Sequence, residues 1–192
     1  LSLLVIDLMQ RGIVTAGALN GSGAIHDYEI ALVGETSETV EEGLGEGAFG
    51  MVEETPTMMN EAVARYVSDD VGMGAALGRD ICERSLPFQK QSILACAHRS
   101  GVPLTVHVAL GTDTIHMHPT TNPALIGRAT HWDFRLLASL VTELDDGGCY
   151  FNIGSAVVLP EVFLKALTLA RNLGHRVGGF MTVNMDMVQH YR

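Results

Sequence analysis

From residue 92 onward the sequence switches repeatedly between a helical and an extended period, and that order leaves few folds open. Residues 92–99 place Ile93, Leu94 and Ala97 on one helical face, with Gly101 just past the end. Residues 104–110 then alternate, with Val106, Val108 and Leu110 on one side of a strand. Residues 130–144 are helical: Trp132, Leu136, Leu140 and Leu144 recur every four positions, and Thr130 with Asp133 has the pattern of a capping box. Residues 149–153 read as a strand, 161–172 as a helix with Pro160 near its first turn, and 177–183 as another strand. Alternation of this kind with short connections predicts a doubly wound α/β domain, a parallel sheet covered by helices on both faces.

Upstream, residues 3–11 form a short helix ended by Gly12, and 13–19 are an apolar run of strand length that leads into Asn20-Gly21-Ser22-Gly23. A helix is expected from near Ala24, a glycine-rich loop at 43–50, and helices at 57–67 and 75–84. No repeat or linker divides the chain, so residues 1–192 are read as one domain, and 47% hydrophobic residues suffice for one sizeable core. The start at Leu1 within an apolar run and the stop at Arg192 just after a strand suggest a fragment of a longer protein. A net charge of −10 and only two lysines, Lys90 and Lys165, argue against nucleic acid as a partner. The most apolar stretch, 151–170, is interrupted by Asn152, Gly154, Pro160, Glu161 and Lys165, so no membrane span is expected. Cys82, Cys96 and Cys149 lie far apart in apolar segments and read as buried free thiols of a reducing, cytoplasmic compartment.

In a parallel sheet of this kind ligands bind at the carboxyl edge, which here collects residues 20–23, 111–118, Gly154-Ser155 and Asn184. The stretch 104–119 ends its strand in a loop that gathers Asp113, His116 and His118, and these three are the expected catalytic residues. Histidines can move protons near neutral pH, with Asp113 orienting a ring or holding an amine. Gly21-x-Gly23 before a helix lets backbone amides approach a phosphate or ribose, although His26 stands where a dinucleotide fingerprint has its third glycine. Gly154-Ser155 repeats that geometry. Asp27 and Glu29 either complement the helix dipole or bind ribose hydroxyls or a cationic amine, and an acidic pocket suits a polyamine. One alternative is a metal-dependent hydrolase in which His116 and His118, with His107, His131 or Asp113, hold the ion. Another is a non-catalytic nucleotide-binding oligomer.

Several of these segments, in this order, resemble the deoxyhypusine synthase superfamily, most closely its deoxyhypusine synthase-like bacterial and archaeal members, over most of the chain. Residues 92–110, SILACAHRSGVPLTVHVAL, look like that family's helix, turn and strand, anchored at Ala97, Pro103, Ala109 and Leu110. ALNGSGAIHDYEIAL looks like its Thr-Ala-Gly-Gly segment, with Asp27 falling on a glutamate that contacts NAD there. FNIGSAVVLPE and VNMD look like two segments that line the NAD pocket. The resemblance implies a Rossmann-like fold and NAD as cofactor, with Gly21, Ser22, Gly23, Asp27, Gly154, Ser155, Asn184 and Asp186 as its contacts. It also implies a homotetramer with sites at dimer interfaces, and transfer of the aminobutyl group of an amine such as spermidine, through a lysine imine, to a protein acceptor. The chain departs from the pattern at Leu159-Pro160-Glu161, where synthases carry a histidine, and neither lysine falls on the imine-forming motif. The expectation is therefore a deoxyhypusine synthase-like transferase rather than deoxyhypusine synthesis itself. An interface is expected near 43–50 or the helices of 57–84, where Met51, Met58, Met59 and Met73 offer apolar surface.

Overall fold

The computed structural model describes residues 1–36, 43–45 and 47–188. Its contacts divide the chain, read above as one domain, into two compact units, Leu1–Trp132 and Asp133–Arg192.

The first unit runs α1 (Ser2–Gln10), β1 (Gly17–Asn20), α2 (Gly21–Val33), α3 (Glu54–Tyr66), α4 (Met73–Glu83), α5 (Ile93–Ser100) and β2 (Leu104–His107), then a 3-10 turn (Thr114–Met117) and the start of α6 (Pro123–Val141). Strands β1 and β2 pair in parallel, Gly17 opposite Leu104 and Asn20 opposite His107, so both chains leave the sheet at one edge. All four residues of β2 are buried, as befits a strand covered on both faces. Helix α4 reaches it through Gly74, where a Cβ would overlap the carbonyl oxygen of Leu104. Helix α5 ends at Gly101 in the left-handed conformation, φ 66°, which turns the chain into β2.

Helices α2 and α5 are joined by one carboxylate. Asp27 accepts from Ser92 Oγ at 2.6 Å and from the backbone N–H groups of Ile93 at 2.7 Å and Leu94 at 3.0 Å, and so holds the amino end of α5. Ser92 Oγ in turn accepts from Ala95 N at 2.9 Å, the ordinary N-cap bond. Burial pushes the Asp27 carboxyl above its usual range, and the three hydrogen bonds oppose that push. A second buried carboxylate, Asp80 of α4, accepts from Tyr28 Oη at 2.6 Å and Arg84 Nε at 2.8 Å.

The second unit holds the rest of α6, β3 (Cys149–Ile153), α7 (Val158–Asn172) and β4 (Met181–Met185). Its strands also pair in parallel, Cys149 opposite Met181 and Ile153 opposite Met185. Ala138, Val141, Phe163, Ala166, Leu167, Ala170 and Val177 form its core, and the rings of Tyr150 and Phe163 stack at 3.8 Å.

The chain is thus mixed α/β, with two two-stranded parallel sheets among the described residues in place of the one continuous doubly wound sheet expected. The strand expected at 104–110 also ends early: Val108 N donates to Thr130 Oγ1 at 3.1 Å rather than to a strand, and the ladder stops at His107. Thr130 is therefore no helix cap. Asn122 Oδ1 accepts from Ala124 N and Leu125 N at 3.1 and 3.2 Å, Pro123 fills the first turn, and α6 begins seven residues earlier than expected. The helix then turns Phe134, Leu137, Ala138 and Val141 to the core. Met59 and Met73 are buried in the first unit's own core, Met58 packs against it, and Met51 is exposed. Cys96 is buried as expected, but Cys149 is exposed. No helix among the described residues is long and apolar enough to cross a membrane.

Replacing Asp27 with alanine strands three donors at the head of α5, and the cost should be about 2–4 kcal/mol, measurable by urea unfolding. His107, buried on β2 with Nε2 2.9 Å from Thr105 Oγ1, has its ring pushed down to about 4 by burial. The folded state thus keeps this ring neutral, a contribution present above the unfolded value near 6.5 and lost as pH falls toward 4. Acid unfolding curves should show roughly 3 kcal/mol less loss over that window in His107→Gln than in wild type.

Candidate functional site

Because β1 and β2 run parallel, the first turn of α2 and the loop after β2 meet at the carboxyl edge. Helix α2 begins sooner than the sequence suggests: Asn20 is its N-cap, accepting from Gly23 N at 2.8 Å, and Gly21, Ser22 and Gly23 are its first residues rather than a loop. At Gly21 a Cβ would overlap the Asp113 carboxylate, which lies against the helix backbone there. Glycine is needed at this position for close approach, and what approaches is a side chain of the same protein.

Asp113 starts the 3-10 turn, and the turn is closed by a reciprocal pair of bonds. Its carboxylate accepts from the backbone of His116, while His116 Nδ1 accepts from Asp113 N at 3.3 Å and from Gly111 N at 3.1 Å. Ser22 Oγ lies 3.4 Å from Asp113 Oδ1. Asp113 Oδ2 and His116 Nε2 face each other at 4.0 Å, each side chain only 5% exposed. Among the described residues neither atom has a hydrogen-bond partner. Burial raises the Asp113 carboxyl above its ordinary value, against the lowering effects of His116, Ser22 and Thr112. The turn itself is pinned by buried Ile115 and by Asn60 of α3, whose amide donates to Thr120 and Thr121 Oγ1 at 3.1 and 3.2 Å.

Beside this arrangement lies a cavity of about 210 Å³, lined by Ser22, Ile25, His26 and Glu29 of α2, by Thr36, by Phe49, Gly50, Val52, Thr55 and Pro56, and by Thr112, Asp113, Thr114 and Ile115. Of the expected catalytic trio, only Asp113 lines it. His116 stands behind Asp113. His118 is turned into its own local loop, with Nδ1 2.7 Å from Thr120 Oγ1. Asp27, expected at a cofactor, is committed to α5. The 43–50 loop contributes Phe49 and Gly50, while Glu46 lies outside the described residues. Glu29, read from the sequence with Asp27 as a helix-dipole partner or an acidic group for a ribose or an amine, lines the cavity, and Thr55 is a lining residue that no motif announced. Glu29 follows Ser22 by seven positions and His26 by three, a helical spacing that places all three on one stripe.

The amino end of α2 does not fit a dinucleotide pyrophosphate. Its helix dipole already faces a carboxylate, Gly23 N is taken by Asn20, and no lysine or arginine is among the lining residues. In the second unit, Gly154 has φ 65° and open space where a Cβ would stand. Ser155 Oγ accepts from Leu159 N at 3.3 Å, and Asn152 Nδ2 donates to Ser155 O at 2.8 Å and to Asn184 Oδ1 at 2.6 Å. Asp186 is exposed and accepts from Val188 N at 3.2 Å. Among the described residues no group of three His, Cys, Asp or Glu side chains is placed to hold a metal ion. No protein-family model matches the chain, and neither does any curated protein or solved structure.

Overlap at Gly21 has a direct consequence. Gly21→Ala should cost about 1–3 kcal/mol by overpacking, and most of that cost should vanish in an Asp113→Ala background, where the methyl group finds room. A double-mutant cycle by urea unfolding measures it; additive effects would separate the two residues.

Proposed function

We propose that the chain is a deoxyhypusine synthase-like transferase that takes a small amine such as spermidine into the cavity beside Asp113. The lining carries this reading. Two carboxylates, Asp113 and Glu29, and the imidazole of His26 stand among the hydroxyls of Ser22, Thr36, Thr55, Thr112 and Thr114, with no lysine or arginine among the lining residues. An ammonium group offers only donors, so carboxylate and hydroxyl oxygens match it, whereas a phosphate needs cations and N–H donors. A volume of about 210 Å³ lies below the range of about 300–1,000 Å³ usual for drug-sized ligands and suits a short linear molecule. An amine reacts as its free base, so a group that accepts its proton has to stand beside it. Burial that raises the Asp113 carboxyl makes it a better base than an exposed aspartate.

NAD belongs to this reading through the second unit, where the open Gly154-Ser155 turn and Asn184 fit a group approaching the backbone and an amide edge. When bound, NAD would supply hydride-transfer chemistry. The Rossmann-like sheet, the homotetramer, the protein acceptor and the cytoplasmic setting rest on the resemblance of the segments at 18–32, 92–110, 151–161 and 183–186.

Titration of spermidine into the full chain by calorimetry at neutral pH should show saturable binding. Asp113→Asn should weaken it tenfold or more, about what loss of one charge-assisted hydrogen bond gives, while its thermal unfolding stays cooperative. NAD, titrated separately, should bind, and Gly154→Val should abolish that binding. Absence of spermidine binding, or equal affinity in Asp113→Asn, overturns the amine reading.

A further inference from the structure

Among the described residues two buried polar atoms at the site lack partners, and they complement each other. His116 Nδ1 accepts two backbone N–H groups, from Gly111 and Asp113, so that nitrogen carries no hydrogen and the ring's proton sits on Nε2. Among the described residues that Nε2–H has no partner, and Asp113 Oδ2, 4.0 Å away, is an acceptor without a donor. A side-chain rotation that shortens the gap by roughly 1 Å makes the hydrogen bond and relieves both atoms. The ring itself is absent from the cavity lining, whereas Asp113 is part of it.

We propose that His116 is a positioning residue for Asp113: held at Nδ1 by the backbone, it directs Nε2–H at Oδ2, keeps the carboxylate seated on Gly21, and leaves Oδ1 toward Ser22 and the cavity. This deepens the amine reading and rests on it for what the carboxylate does, though not for the contact itself. A hydrogen bond to the charged form favours that form, so His116 holds Asp113 ionised at lower pH than burial alone would allow. The other groups that face Asp113 are Ser22 and Thr112, and across the cavity His26 and Glu29 of α2 are the titratable neighbours.

Asparagine separates the two jobs of the ring. Its Oδ1 stands near the place of Nδ1 and can still accept the backbone N–H groups, but it is too short to offer a donor to Asp113. Glutamine reaches further and returns an N–H. In the full chain without added ligand, the ¹³C carboxylate signal of Asp113 should titrate about one pH unit higher in His116→Asn than in wild type, and His116→Gln should recover part of the difference. The acid limb of the spermidine-affinity profile should move by the same amount in the same direction. Identical Asp113 titrations in all three proteins overturn the positioning role, whatever spermidine does. A shifted carboxyl without any spermidine binding leaves the positioning role standing and removes the amine reading instead. If His116→Asn proves unfolded by circular dichroism, a direct nitrogen readout decides: ¹⁵N shifts of the wild-type ring that place the proton on Nδ1 overturn the proposal, and a protonated Nε2 supports it.

Discussion

The carboxylate of Asp27 links the helix that leaves β1 to the helix that leads into β2. Three hydrogen bonds, one from the Ser92 hydroxyl and two from backbone N–H groups, hold it at the amino end of α5. Burying a carboxylate is costly, and it is tolerated here because the donors it meets would otherwise be orphans of the helix start. With α2 and α5 fixed to each other, β1 and β2 share one register over four residues, Gly17 to Asn20 against Leu104 to His107. The chains that leave them then emerge side by side, and the turn at Asp113 meets the first residue of α2.

Glycines on the helices set how close they come to what they pack against, and Gly74 and Gly21 are each needed for a missing Cβ rather than for an unusual backbone angle. Gly74 admits the Leu104 carbonyl, and Gly21 admits the Asp113 carboxylate. The second case inverts the chemistry of a familiar arrangement. A helix amino end behind a glycine turn attracts anions, and in nucleotide-binding folds the anion is a phosphate. Here the protein supplies the anion itself. The dipole of α2 is complemented internally, and Glu29 adds a second carboxylate to the cavity lining.

Much of this was legible in the residues. The helix ended by Gly101, the strand at 149–153 and the carboxylate one loop beyond β2 followed from periodicity and turn chemistry. The division of labour among the polar residues did not. Asp27 and Asp113 are both aspartates near glycines, and only long-range contacts, to Ser92 in one case and to Gly21 in the other, decide that one holds a helix and the other lines the cavity. Thr130 and Asp133 matched a capping box by spacing, yet Asn122 and Pro123 had the stronger start signal, and Thr130 became a side-chain bridge to β2 through Val106 O and Val108 N. His118 is not among the cavity-lining residues, and its Nδ1 meets Thr120 two residues on. The continuous sheet was inferred from alternation alone, which fixes the order of elements but not which strands share a ladder.

The charge of the chain acts at two ranges. A net charge of −10 draws polycations toward the surface generally, an attraction that salt screens within about 10 Å at 0.1 M. Such steering raises local concentration and chooses nothing. On the proposed amine reading, selection requires a charge that salt does not reach, and Asp113, with a side chain only 5% exposed, would be that charge. Its burial lowers the local dielectric and strengthens any contact with a cation, while the same burial favours losing the charge by protonation. The two tendencies are reconciled only if donors surround the carboxylate without neutralising it. Ser22, Thr112 and the His116 backbone do this from the cavity side and the turn, and the His116 imidazole stands behind, its Nε2 4.0 Å from Oδ2. An exposed aspartate would be ionised without help but weak in its grip; in the positioning role proposed for His116, the ring behind Asp113 would let one group be both buried and charged.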